Sequence, residues 1–238
     1  MDLRAHGATD VPDHSPDDYA FARLAGDVLA VLDVMGIERW VALGESLGGG
    51  VAAMVAAARP GATRGLMLCE AIAFDVALHP RPPAGTGGGG NMMASIARKR
   101  RAVWPDRATV LASYASRAPL DVLAPEALAA YVEWGFADRP DGQVELACPP
   151  EAEATVFEVS SSAPGGPSAW GVLDQLSGAT TVLAGTHSDL PTAWFEAQAE
   201  RARAPFVQID GGHFFVQEDT TRAERLIRHH LGGQPSMR

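Results

Sequence analysis

Cysteine is nearly absent: two residues in a chain of 238 cannot build a disulfide framework. Cys69 lies in an apolar run and Cys148 beside Pro149-Pro150, neither in a CxxC pair, so both read as reduced thiols of a cytoplasmic protein. Long hydrophobic runs are also missing. No apolar stretch approaches the length of a membrane span, and the first residues lack the basic head, apolar centre and small-residue cleavage site of a secretory signal. Positive charge is scarce: 19 Lys and Arg against 29 Asp and Glu leave a formal net charge of -10, which argues against nucleic acid or an anionic membrane as a partner. The single basic run, Arg98-Lys99-Arg100-Arg101, reads as a solvated helix face. The glycine run Gly87 to Gly90 lacks the lysine and Ser/Thr of a phosphate-binding loop, and no apolar strand leads into it. It reads as a flexible connection.

With 47% hydrophobic residues the chain can bury a substantial core, most simply as one domain carrying an insertion. Buried strands are expected at Arg39 to Leu43, Gly65 to Cys69, Thr180 to Ala184 and Phe206 to Ile209. Helical spacing of Leu24, Val28, Val31, Leu32 and Met35 after Ser15-Pro16-Asp17-Asp18 predicts an amphipathic helix ahead of the first of these strands. Val51 to Ala58 predicts another behind it, stopped by Arg59-Pro60-Gly61. Strands separated by helices imply a mostly parallel sheet flanked by helices, an α/β fold. Between Ala73 and Gly178 the pattern changes. Start signals and partial periodicity predict short helices over Asn91 to Val103, Asp106 to Ser116, Pro125 to Trp134, Pro150 to Val159 and Ser168 to Leu176. We therefore divide the chain into a core of residues 1–75 and 177–238 and a helical insertion of residues 76–176 able to cover one edge of the sheet. Its aromatics include Trp104, Tyr131 and Trp134, which either line a pocket or hold the insertion together.

Gly44-Glu45-Ser46-Leu47-Gly48 falls between the first predicted strand and its helix. A serine on such a strand-to-helix turn is pushed out of the sheet, and the tight backbone needs small neighbours, supplied by Gly44, Gly48 and Gly49. The first N–H groups of the following helix, from Leu47, point to where negative charge would develop on a substrate oxygen. Serine needs an adjacent base, normally a histidine held by a carboxylate. His213 stands out among the seven histidines, because Asp210-Gly211-Gly212 carries it just past the strand Phe206 to Ile209. Asp189 comes just after the strand Thr180 to Ala184 and is the leading carboxylate; Glu70, Asp75 and Asp210 compete with it. His187 reads as a loop residue, His229 and His230 as solvated, and His6, His14 and His79 as loop positions. Glu45 and Phe214, neighbours of the nucleophile and of the base, are candidate substrate contacts with the three cap aromatics.

Taken together, Asp2-Leu3-Arg4-Ala5-His6-Gly7-Ala8-Thr9-Asp10, the Gly44 to Gly49 elbow, Gly185 to Asp189 and Gly211-Gly212-His213 resemble the α/β hydrolase superfamily in the order serine, acid, histidine. The resemblance implies that Ser46 attacks a carbonyl, His213 moves the proton, Asp189 orients the imidazole, and residues 76–176 form a lid. It implies a serine hydrolase of a carboxylic ester or related acyl compound, without metal or organic cofactor, acting on a small apolar or acyl substrate. The same triad serves C–C bond hydrolases of diketone-like substrates and peroxide-dependent acid chemistry, and the fold also serves as a non-catalytic binding module. Serine at the elbow argues against the branches that use aspartate there. Ala5 stands where glycine is usual and Glu45 where histidine is often found.

Family members generally place about three strands before the segment matching Met1 to Arg4, itself expected as a strand. The loop after one of them supplies a second oxyanion N–H. Lack of that donor implies a loss on the order of 10² to 10³ in turnover. The sequence is accordingly expected to be an N-terminally shortened member, from a late start codon.

Overall fold

The computed structural model describes residues 1–11, 15–74 and 91–231. Its centre is a four-stranded, all-parallel sheet of β1 (Trp40–Glu45), β2 (Thr63–Cys69), β6 (Ala179–Gly185) and β7 (Phe206–Ile209), in that spatial order. All four occur where hydrophobic runs predict them. Strand side chains alternate between faces, and here the alternation sorts the core into two layers. Leu66, Leu68, Val182 and Ala184 join Phe21, Leu24, Val51, Val55 and Phe195 on one face. Met67, Cys69 and Leu183 join Ile209 and Phe215 on the other.

The first face is covered by α1 (Phe21–Val34), α2 (Leu47–Ala58), and α8 (Thr192–Ala202), the second by α9 (Phe215–Glu218) and α10 (Thr220–Leu231). The helix start expected at Ser15 to Asp18 is a separate 3-10 turn, Pro16–Tyr19, and α1 begins two residues later. No helix among the described residues is long and apolar enough to cross a membrane.

Residues 1–10 are the first correction. They form turns instead of the expected strand, closed by Ala5 N–H to Asp10 O and His6 N–H to Leu3 O, with Arg4 forked onto Asp27. Consequently β1 is an edge strand, paired with β2 on one side only among the described residues, and Val41 is 51% exposed.

Between β2 and β6 lie α3 (Met92–Arg98), β3 (Val103–Trp104), α4 (Arg107–Tyr114), α5 (Pro125–Trp134), β4 (Phe136–Asp138), β5 (Val144–Leu146), α6 (Pro150–Ser160) and α7 (Gly166–Trp170). This segment is not purely helical. β3, β5 and β4 form a small antiparallel sheet, whose Trp104, Phe136, Val144 and Leu146 pack with Val110, Leu128 and Val132 into a core of their own. In the basic run Arg98, Lys99 and Arg101 are exposed, as expected, while Arg100 is half-buried, and three of the four are partnered. Arg98 pairs with Glu151 and Glu158, Arg100 with Glu153 and the hydroxyls of Tyr114 and Tyr131, and Arg101 lies over Trp104. The stretch Pro80 to Asn91, with Gly87 to Gly90, falls outside the described residues except for Asn91, which caps α3.

Candidate active site

β1, β2, β6 and β7 run parallel in register, so the segments leaving their carboxyl ends all arrive at one edge. Backbone bonds across the strand ends fix this: Ser46 N–H to Cys69 O at 3.0 Å, Glu70 N–H to Leu183 O at 2.9 Å and Thr186 N–H to Ile209 O at 2.8 Å. Ser46, Glu70 and the loop ending in His213 meet there.

Ser46 has φ 52 and ψ -121, a left-handed conformation costly for any residue with a Cβ and held only where the surroundings enforce it. Its carbonyl accepts N–H bonds from Gly49, Gly50 and Ile72. A Cβ on Gly44 would fall 2.4 Å from Gly48 O, and one on Gly49 2.5 Å from Ala71 Cβ, which is why strand and helix can turn so sharply. Gly48 differs from expectation: a Cβ there would meet open space, whereas Gly50, not singled out in the sequence, is crowded by Phe21 and Ile72 O. The N–H groups of Leu47 and Gly48, at the start of α2, have no partner within the helix by geometry.

His213 is a quarter exposed, and its Nδ1 lies 2.6 Å from Oε2 of Glu70, whose side chain is fully buried. The carboxylate that His213 meets in the structure is Glu70, in place of Asp189, the leading expectation. The physical reason lies in the loop after β6. Gly185 N–H donates to Glu70 Oε1 at 2.7 Å and Ser188 Oγ donates to Oε2 at 2.6 Å, so the loop presents a backbone donor and a hydroxyl inward while Asp189 is exposed. Glu70 itself has φ 46, and that turn at the end of β2 aims its carboxylate along the sheet edge. Of the other competitors, Asp210 is exposed and lies 3.9 Å from the exposed His187, and Asp75 falls outside the described residues, as do His14 and His79.

His213 is clamped from several sides. Gly212 N–H donates to both oxygens of Glu218 at 3.0 and 2.9 Å, His187 N–H donates to Gly211 O, and Phe214 packs edge-on against the imidazole, 5.1 Å between centroids. In the tautomer whose Nδ1–H donates to Glu70, Nε2 is an acceptor. No direct hydrogen bond joins Ser46 Oγ to His213.

The remaining predicted contacts separate. Glu45 turns to α9, where Oε2 takes a hydrogen bond from Gln217. Trp104 is buried, its N–H donated to Arg101 O, Tyr131 accepts from Arg100, and Trp134 is 77% exposed. Trp104 thus holds the insertion together and Trp134 faces solvent. Both thiols are free, and burial pushes each up to about 12, far from a reactive thiolate at neutral pH. No cluster of three His, Cys, Asp or Glu among the described residues is placed to hold a metal ion. Sequence reasoning missed Ser188, Gln217 and Glu218; the first two carry no signal, while Glu70 was legible as an acid immediately after a buried strand.

A model of the alpha/beta hydrolase fold family matches residues 1–147. The chain belongs to the α/β hydrolase family. No curated protein sequence matches it. Among solved structures this α/β hydrolase is similar to E-2-(acetamidomethylene)succinate hydrolase, with TM-score 0.75 and 18% identity over 98% of this chain and 80% of that one. It is similar to the thioesterase domain from the curacin biosynthetic pathway, at 0.70 and 18% over 95% and 79%. It is also similar to the enol-lactonase from Burkholderia xenovorans LB400, at 0.65 and 19% over 97% and 79%. At these identities the likeness is one of fold.

Proposed function

We propose that this α/β hydrolase is a serine hydrolase of a carboxylic ester, thioester or lactone, working through an acyl-enzyme with Ser46 as nucleophile, His213 as base and Glu70 as the orienting acid. Ser46 Oγ attacks the acyl carbon as its proton passes to Nε2 of His213. Negative charge collects on the former carbonyl oxygen, toward the N–H of Leu47. The tetrahedral intermediate collapses, the leaving group takes the proton from His213, and water deacylates Ser46 by the same proton path. Glu70 keeps the imidazole in the tautomer that this cycle requires.

The observation that carries the reading is the strained serine elbow on the same sheet edge as a histidine whose Nδ1 is held by a buried carboxylate. Two neighbours in fold are a thioesterase domain and an enol-lactonase; both names denote acyl transfer to water, which agrees with this reading. In this reading residues 76–176 act as a cap over the edge. Two contacts support that role: Ala124 N–H donates to Gln217 O in the helix after His213, and Val156 and Val159 of α6 pack in a cluster with Tyr19 that Leu47 adjoins.

A fluorophosphonate probe tests the proposal. It should label the folded protein at Ser46, and labelling should vanish in Ser46→Ala. Folded protein that the probe leaves unlabelled would overturn it.

A further inference from the structure

Glu45 ends β1 beside the nucleophile, and Gln217 lies on α9, four residues beyond the base. The amide nitrogen of Gln217 donates to Glu45 Oε2. The other oxygen of each group, Glu45 Oε1 and Gln217 Oε1, is shut off from solvent without any donor. Both are acceptors when Glu45 is ionised, and buried acceptors with nothing to accept are rare in folded proteins. One proton on Glu45 Oε1 removes both vacancies, because a carboxylic acid and a primary amide pair through two parallel hydrogen bonds.

We propose that Glu45 carries a proton and closes a two-bond ring with Gln217, with Nε2–H donating to Oε2 and Oε1–H donating to the amide oxygen. The ring is a positioning device: it ties α9, and with it His213, to the strand that carries Ser46. This role rests on the reading of His213 as the base.

The surroundings favour the neutral acid. Burial pushes the Glu45 carboxyl up to about 6, the negative charges of Glu70 and Glu218 push the same way, and the Gln217 bond and His213 oppose them. Cys69, its neighbour on β2, is held as a neutral thiol. From α10 the charged side chain turned toward the histidine loop is Arg222, against Gly211, and α2 brings no ionisable group. A proton shared with the amide oxygen pushes the titration in the same upward direction. As pH rises through it, the ring loses one of its two bonds and a negative charge appears beside the base.

Infrared difference spectra and melting curves test the ring without reference to catalysis. The wild type at about pH 6 should show a protonated-carboxyl band that is absent in Glu45→Gln and fades toward about pH 9. Glu45→Gln can form the same two-bond ring between amides, so its melting temperature relative to the wild type should climb as pH rises. A missing band, or parallel pH profiles of melting, would overturn the ring. Turnover of an activated ester tests the positioning role. Gln217→Leu should lower kcat about tenfold with KM changed less than about twofold, and the kcat ratio of Glu45→Gln to wild type should rise several-fold from about pH 6 to about pH 9. If Ser46→Ala abolishes turnover while both variants keep wild-type kcat at every pH, the positioning role is wrong and the triad stands. If the wild type hydrolyses nothing, the triad falls, and the spectra and melting curves still decide the ring.

Discussion

Glu70 accepts three hydrogen bonds on two oxygens, from Gly185 N–H, Ser188 Oγ and His213 Nδ1, and every atom of it is out of solvent. Replacing it by glutamine keeps the size but lets the histidine settle in the wrong tautomer. By analogy with the orienting aspartate of serine proteases, Glu70→Gln is expected to lower kcat by about 10⁴, whereas Asp189→Asn should stay within about twofold. Ester hydrolysis under saturating substrate distinguishes the two carboxylates. Sequence position alone could not, because both come after a buried strand and the choice turns on the backbone at Glu70, whose φ of 46 is invisible in residue identity. The elbow gives a second contrast at this scale. Gly44→Ala drives a methyl into Gly48 O and should cost about 1 to 3 kcal/mol, while Gly48→Ala meets open space and should gain up to about 1 kcal/mol of helix propensity. Urea midpoints of the two variants should move in opposite directions.

Among the elements, the four parallel strands were legible because continuous apolar runs bounded by Gly, Pro and polar turns have few other outcomes in a chain of this length. The antiparallel hairpin of β4 and β5 was not, although Arg139-Pro140-Asp141-Gly142 between two short alternating segments is a turn signal; Gly142 sits at φ 81 and Arg139 N–H closes onto Gln143 O. Three-residue strands give too short a period to stand out against neighbouring helices. The strand expected at residues 1–4 rests on family resemblance, and nothing pairs with it here. α8 carries a further feature without sequence signal: buried Gln198 donates Nε2–H to Ala71 O at 2.9 Å, bracing the segment after Glu70 against the helix. Gln198→Leu strands that carbonyl and should cost about 1 to 3 kcal/mol, read as a lower denaturant midpoint, with kcat falling if the brace also steadies Glu70.

At the scale of the whole molecule, the sheet has two edges among the described residues: β7 pairs only with β6, and β1, which leads into Ser46, pairs only with β2, with Val41 half exposed. Trp40 to Gly44 contains no lysine, proline or other residue that discourages edge-to-edge pairing. Val41→Lys is therefore expected to slow aggregation at high protein concentration while shifting the melting temperature little, measured by light scattering beside calorimetry; faster aggregation would contradict the edge as the adhesive surface. Fold family and the parallel character of the sheet could be read in advance, whereas the carboxylate that bonds His213 and the Gln217 contact could not, because both depend on which side chains the loops turn inward.

The proposed acid and nucleophile leave adjacent strands of a single β-α-β unit, Trp40 to Glu70, whereas the imidazole returns from 143 residues further along. During synthesis, then, two of the three groups can be assembled while the ribosome is still translating the remainder. In the proposed triad the nascent polypeptide therefore lacks its base until β7 and the loop carrying His213 have been added.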